Sequence, residues 1–184
     1  MVKLDVITTR GGDGGETSLG DGARVRKDAA RIEAIGAVDE ANAALGLLRL
    51  HTAGADDAVL AKLQNGLFDL GADLCVPGEG GARLRIGEGH LRGLDAAIAE
   101  MNAGLPPLAS FVLPGGTPAA AAAHMARTLA RRAERAAVRL AAEEPVNPDV
   151  VRYLNRLSDL LFVLGRRANG NGAEDVLWTP GSGA

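Results

Sequence analysis

Apolar residues return every three or four positions through most of this chain. Val38, Ala41, Leu45 and Leu48 do so in a segment that starts near residue 29, which predicts a helix with one buried face. Beside that stripe run Ile35, Asp39, Asn42 and Gly46. Two polar groups and a glycine there suggest a wet site or a partner's side chain rather than plain core. Val59, Leu60, Leu63, Leu67, Leu70 and Leu74 predict a second helix over about 56–74. Leu91, Leu94, Ile98 and Met101 predict a shorter third over about 90–102. Thr117 followed by Pro118 is a capping residue with proline at the first helical position, and the fourth helix runs from there to about 143. Asn147 and Pro148 repeat the signal. Leu154, Leu157, Leu161, Leu164 and Ala168 then keep near-heptad spacing to about 169, as in bundle packing. No strand series, internal repeat or dividing linker is evident. The expected fold class is all-α, a five-helix antiparallel bundle in a single domain: a loop segment over 1–28, the bundle over 29–169, and a loose tail over 170–184 with Trp178 as a candidate anchor.

Composition narrows the function classes. Hydrophobic residues make up 47% of the chain and charged residues 23%, a globular balance. Aromatics are scarce, so Leu, Ala, Val and Ile must fill the core. The net charge of −3 gives no general case for nucleic acid, although local basic clusters can hold phosphate. Cys75 is the single cysteine, which excludes a disulfide framework or Cys-rich metal site and reads as a buried small hydrophobe. No apolar run approaches ~20 residues, and "MVKLDVITTR" has no apolar leader core. The expected location is the cytoplasm, with no membrane partner.

Candidate chemistry starts at "TTRGGDGGETSLGDG", residues 8–22. Glycines let backbone N–H groups converge on an anion. Thr8, Thr9, Thr17 and Ser18 add hydroxyls, and Arg10, Arg24, Arg26 and Lys27 add charge. The order is neither that of a P-loop nor that of an EF-hand. The residues alone leave two readings open, a mobile arm and a polyphosphate loop. In "HMARTLARRAER", Arg127, Arg131 and Glu134 share a helix face, while Arg132 points away from it. Such a face is either merely solvated or a cationic stripe for a triphosphate, since a guanidinium fork pairs well with phosphate oxygens. Glu134 could orient an arginine or hold a ribose hydroxyl. Asn155 and Asp159 lie one turn apart beside the apolar stripe of the fifth helix. His124 is a lone histidine, and a His-based metal site is not expected. Phe111, in "SFVLPGG", either fills core or faces a large apolar ligand.

Taken together, these segments resemble the trimeric, all-helical propanediol-utilisation (PduO) type of ATP:cob(I)alamin adenosyltransferase, the corrinoid adenosyltransferases. The matching stretches are "TTRGGDGGETSLGDGARVRKD", "AIGAVDEANAALG", "FVLPGG", "HMARTLARRAER" and "NPDVVRYLNRLSDLLFVLGRRAN", in order over residues 8–169. The resemblance implies a ferritin-like bundle that transfers the 5′-deoxyadenosyl group of ATP to cob(I)alamin at a site between subunits of a homotrimer. Adenosylcobalamin and triphosphate are the implied products. It implies ATP contacts at Thr9, Arg10, Gly11, Gly12, Thr17, Ser18 and Lys27, at Arg131, Arg132, Glu134 and Arg135, and at Asn155. Magnesium bridges phosphate oxygens on this reading, with no metal ligand assigned to the protein. The resemblance further implies that Arg127 pairs with Asp39 of the neighbouring subunit. It makes Phe111 the aromatic that crowds the lower corrin face, so that cob(II)alamin becomes four-coordinate and easier to reduce. A reductase and an adenosylcobalamin-dependent mutase are the implied protein partners. Gly11 stands where the family usually has Thr, and Gly14 and Gly15 in series should raise the ordering cost of the loop. The loop between the second and third helices is assigned no role.

Overall fold

The computed structural model describes residues 7–78 and 83–183. Five helices carry the fold: α1 Ala30–Arg49, α2 Gly54–Cys75, α3 Glu88–Asn102, α4 Pro118–Glu143 and α5 Pro148–Ala168. Four-residue connections join α1 to α2 and α4 to α5, which makes each pair an antiparallel hairpin. The all-α bundle expected from the periodicity is therefore present, with each helix end within two residues of its predicted position. Both cap signals work as read. The Thr117 hydroxyl accepts from Ala120 N at 3.1 Å, and the Asn147 side-chain oxygen accepts from Asp149 N at 3.1 Å. Each satisfies an otherwise free N–H of the first turn, and proline at the first position, having no N–H, leaves none there to satisfy.

The packing follows from side-chain size. α4 turns Ala123, Ala126, Ala130, Ala133 and Ala137 inward, all at 0% exposure. Methyl groups let α1 and α5 approach its axis closely, and the larger Leu154, Leu157, Leu160 and Leu161 of α5 fill the remaining space. α4 consequently packs against both α1 and α5, with α2 outside α1 and α3 against α5. Gly66 on α2 has a specific reason to be glycine. A Cβ there would collide with the Tyr153 hydroxyl, which is driven into the core by α5.

Three expectations are corrected. The N-terminal segment contains strands, β1 Glu16–Ser18 and β2 Arg24–Arg26, paired antiparallel with Thr17 opposite Val25. The tail is not loose over its first part. Asn169, fully buried, accepts from Thr117 N at 3.0 Å, and Arg166 pairs with Asp175 at 2.7 Å, both side chains nearly sealed from water. Beyond them Leu177 bridges Val112, and Trp178 N donates to Phe111 O at 2.8 Å. Trp178 is thus an anchor, as read. Cys75 is half-buried rather than fully buried. Of the loop given no role, residues 79–82 lie outside the described residues, whereas Ile86 is buried. Among the described residues no helix is long and apolar enough to cross a membrane.

Candidate active site

The glycine-dense segment is built as a cradle on the β-hairpin. Asp21 and Gly22, the latter at φ +89°, turn the chain, and the Asp21 carboxylate accepts from Ala23 N at 3.0 Å. Lys27 N donates to Gly15 O at 2.9 Å, closing the segment on itself. The Arg24 guanidinium staples it from one side, donating to Gly11 O at 2.8 Å and to the Ser18 hydroxyl at 3.2 Å. Position 12 leaves little room for a side chain: a Cβ there would stand 2.9 Å from Lys27 Nζ and 3.3 Å from Glu16 O. The Lys27 ammonium therefore lies directly over the loop backbone. Arg10 adopts φ 57°, the left-handed region that costs a non-glycine residue energy. Thr9, Gly11 and Ser18 are exposed and Thr17 is half-buried. The cradle is fixed to the bundle where Leu19 is buried and Gly20 N donates to Cys75 O at 2.9 Å, at the end of α2. Arg26 is occupied by Asp28.

A second cluster stands on α4 and α5. Asn155 Nδ2 donates to Glu134 Oε1 at 3.0 Å, joining the two helices. Arg135 reaches back to Arg131 O at 3.4 Å. Arg131 is exposed, and its guanidinium has no hydrogen-bond or ion-pair partner among the described residues. Arg132 is turned the other way, 2.8 Å from Glu40 and 3.7 Å from Glu33 on α1. Arg127 is half-buried. Its Nε has no partner, and burial together with the charge of Arg131 lowers its pKa from the ordinary guanidinium value.

Arg127 also lines a cavity of about 540 Å³ with Leu108, Ser110, Phe111, Val112 and Phe162. Phe111 is 78% exposed, so the core-filling reading fails. Its ring lies 6.0 Å from that of Trp178, which the tail brings alongside. Asp39 is exposed on α1, at an apolar hollow of about 490 Å³ lined by Ile32, Ile35, Phe68 and Cys75. Among the described residues no hydrogen bond or ion pair links the cradle, residues 9–27, to the α4 arginines, and none links Asp39 to Arg127. The chain thus gathers the predicted residues into two groups and leaves the groups unconnected.

Three features escaped the sequence reading. The hairpin was signalled by Asp21-Gly22 between two short polar-apolar-polar runs. The contact of the tail with the Phe111 loop and the burial of His124 carried no local signal. A further cavity of about 320 Å³ is lined by Arg31, Asp73, Arg85 and Asn147. Its charges are paired: Asp73 accepts from Arg85, Asn147 and Ile86 N at 2.7–2.8 Å, and Arg31 pairs with Glu144.

Fold and site together define a helical bundle that presents a glycine-rich hairpin loop, a cationic helix face and an aromatic-walled hollow. The cobalamin adenosyltransferase family model matches residues 7–168. A cobalamin adenosyltransferase from Cupriavidus metallidurans is 50% identical over 179 residues, 96% of this chain and 95% of that one. A corrinoid adenosyltransferase from Mycobacterium bovis is 48% identical over 187 residues, 98% of this chain and 96% of that one. A solved structure of a variant PduO-type ATP:corrinoid adenosyltransferase from Lactobacillus reuteri, complexed with cobalamin and ATP, superposes with a TM-score of 0.89 at 34% identity, covering 95% of this chain and 97% of the other. The chain belongs to the cobalamin adenosyltransferase family and is an ATP-binding corrinoid adenosyltransferase of the PduO type.

Proposed function

We propose that the enzyme transfers the 5′-deoxyadenosyl group of ATP to cob(I)alamin across an interface between two copies of the chain in a homotrimer. The observation that carries the interface is the separation of the two groups of residues. One copy supplies the cradle, with Thr9, Arg10, Gly11, Gly12, Thr17, Ser18 and Lys27. Its neighbour supplies Arg131, Arg135, Glu134 and Asn155. Among the described residues Arg127 has no carboxylate partner and Asp39 no cation, and this complementarity supports an Asp39–Arg127 pair between copies. Arg132, engaged on α1, serves that contact rather than the nucleotide.

The cobalt(I) electron pair attacks the ribose C5′, the cobalt–carbon bond forms, and the C5′–O bond breaks. Its electron pair leaves on triphosphate, and cobalt ends formally as Co(III). Negative charge grows on the leaving oxygen, so cations fixed before the reaction stabilise the transition state more than the ground state. Lys27 and Arg131 fill that role, and Glu134 holds Asn155 toward the nucleoside. Phe111 at the cavity mouth excludes water and axial ligands from cobalt. Magnesium has no cage here: among the described residues no three His, Cys, Asp or Glu side chains converge. Any such ion would be carried by phosphate oxygens and water, and no step is assigned to it. The segments 1–28, 29–169 and 170–184 act as one domain, in the cytoplasm, with a reductase and a mutase as the partners this chemistry calls for.

Incubation with ATP, Mg²⁺ and chemically reduced cobalamin tests the reading. The expected result is the spectrum of an alkylcobalamin with stoichiometric release of triphosphate. Release of pyrophosphate or ADP, or no turnover, rejects it.

A further inference from the structure

His124 is a titratable group that the reaction above does not use. It sits on the inward side of α4 at 1% exposure, and neither ring nitrogen has a partner among the described residues. Its ring meets Phe162 edge-on at 6.2 Å. Gly165 on α5 lies against it, where a Cβ would stand 3.4 Å from Nε2. One turn along α4, Arg127 buries an Nε that is equally unpartnered. Phe162 and Arg127 both line the Phe111 cavity, so His124 backs two of its walls.

An apolar side chain of similar size would fill this place without stranding two buried polar atoms. The stranded atoms are complementary. Burial and the Arg127 charge hold the imidazole neutral, with Asp175 pulling weakly the other way. A neutral imidazole has one lone-pair nitrogen, and Nε of a guanidinium carries one N–H. Residues three apart on a helix are surface neighbours.

We propose that His124 is a positioning residue for Arg127. Its lone pair receives the Arg127 Nε–H when the outer guanidinium nitrogens turn to a carboxylate or substrate beyond the chain, and its ring props Phe162 in the cavity wall. The proposal rests on the reading that the Phe111 cavity takes the corrinoid.

The test compares the full-length enzyme with His124→Leu, His124→Asn and His124→Gln. Thermal midpoint, KM for ATP, kcat and the four-coordinate cob(II)alamin spectrum are measured. His124→Leu should unfold at the same temperature or higher, keep KM for ATP within about twofold, and lose about tenfold in kcat. At least one of the Asn and Gln variants, which keep an acceptor near Nδ1 or Nε2, should recover most of that loss. A Leu variant with wild-type kcat overturns the proposal. So does a loss that only tracks a lowered midpoint, or one that neither amide restores. Phe111→Ala is the separate control. If it leaves the cob(II)alamin spectrum unchanged, the cavity reading fails, whatever His124 does.

Discussion

Two corners of the molecule bury charge in opposite ways. At the junction of α1, α2 and α5, Arg31 is 5% exposed and donates to Leu74 O at 2.6 Å and to Glu144, while Asp73 has three donors. At the Phe111 cavity, Arg127 and His124 bury three nitrogens between them that have no hydrogen-bond partner among the described residues. A chain that satisfies one buried arginine so completely has no general difficulty in doing so. The difference marks the first corner as structure and supports the proposal that the second is completed only when a ligand or carboxylate engages the outer nitrogens of Arg127.

The largest effect should fall on the satisfied corner. Asp73→Ala strands Ile86 N and takes the carboxylate from Arg85 and Asn147, which keep only backbone carbonyls, and should cost about 3 kcal/mol of stability, read as a lower denaturant midpoint. Turnover per folded molecule should stay near wild type; a large loss of turnover in the folded fraction would blur the comparison. Arg131→Ala should do the reverse. Steady-state kinetics should show kcat/KM down about 100-fold, equivalent to about 2.7 kcal/mol of transition-state stabilisation, with an unchanged melting temperature. Gly12→Ala is milder, because the far end of Lys27 can swing away from the new methyl and Glu16 O needs to give by only a small amount. ATP affinity should weaken by up to about tenfold, the scale of one displaced charge-assisted contact, with kcat little altered.

The smallest effect concerns pH. Burial holds the folded-state pKa of His124 below the ordinary imidazole value of 6.5. The unfolded chain therefore takes up the proton first, so stability falls as pH drops through that value and is fully kept above it. Thermal midpoints of wild type should decline between neutral and mildly acidic pH, and the slope should flatten in His124→Leu. An unchanged slope would mean that other groups control it.

The helices were legible because their apolar period survives any tertiary context, and the caps at Thr117 and Asn147 because side-chain oxygen and proline act locally. The hairpin was obscured by glycine density, which hides the alternation that marks a strand. The Asp73 corner was out of reach because its partners are 12, 13 and 74 residues away in sequence. The tail failed for a similar reason: nothing local pairs Arg166 with Asp175 until the chain folds back on itself. At the site, cradle residues and α4 arginines were identifiable as types, but their division into two unconnected groups belongs to three dimensions alone.

The central claim is that one chain's cradle serves another chain's arginines, and complementation measures it directly. Lys27→Ala and Arg131→Ala, each inactive alone, are refolded together in equal amounts into mixed assemblies. A threefold ring of mixed composition carries one intact interface in three, so the mixture should recover about a quarter of wild-type activity. Mixed assemblies that form and remain inactive would contradict a shared site and place cradle and arginines in the same chain.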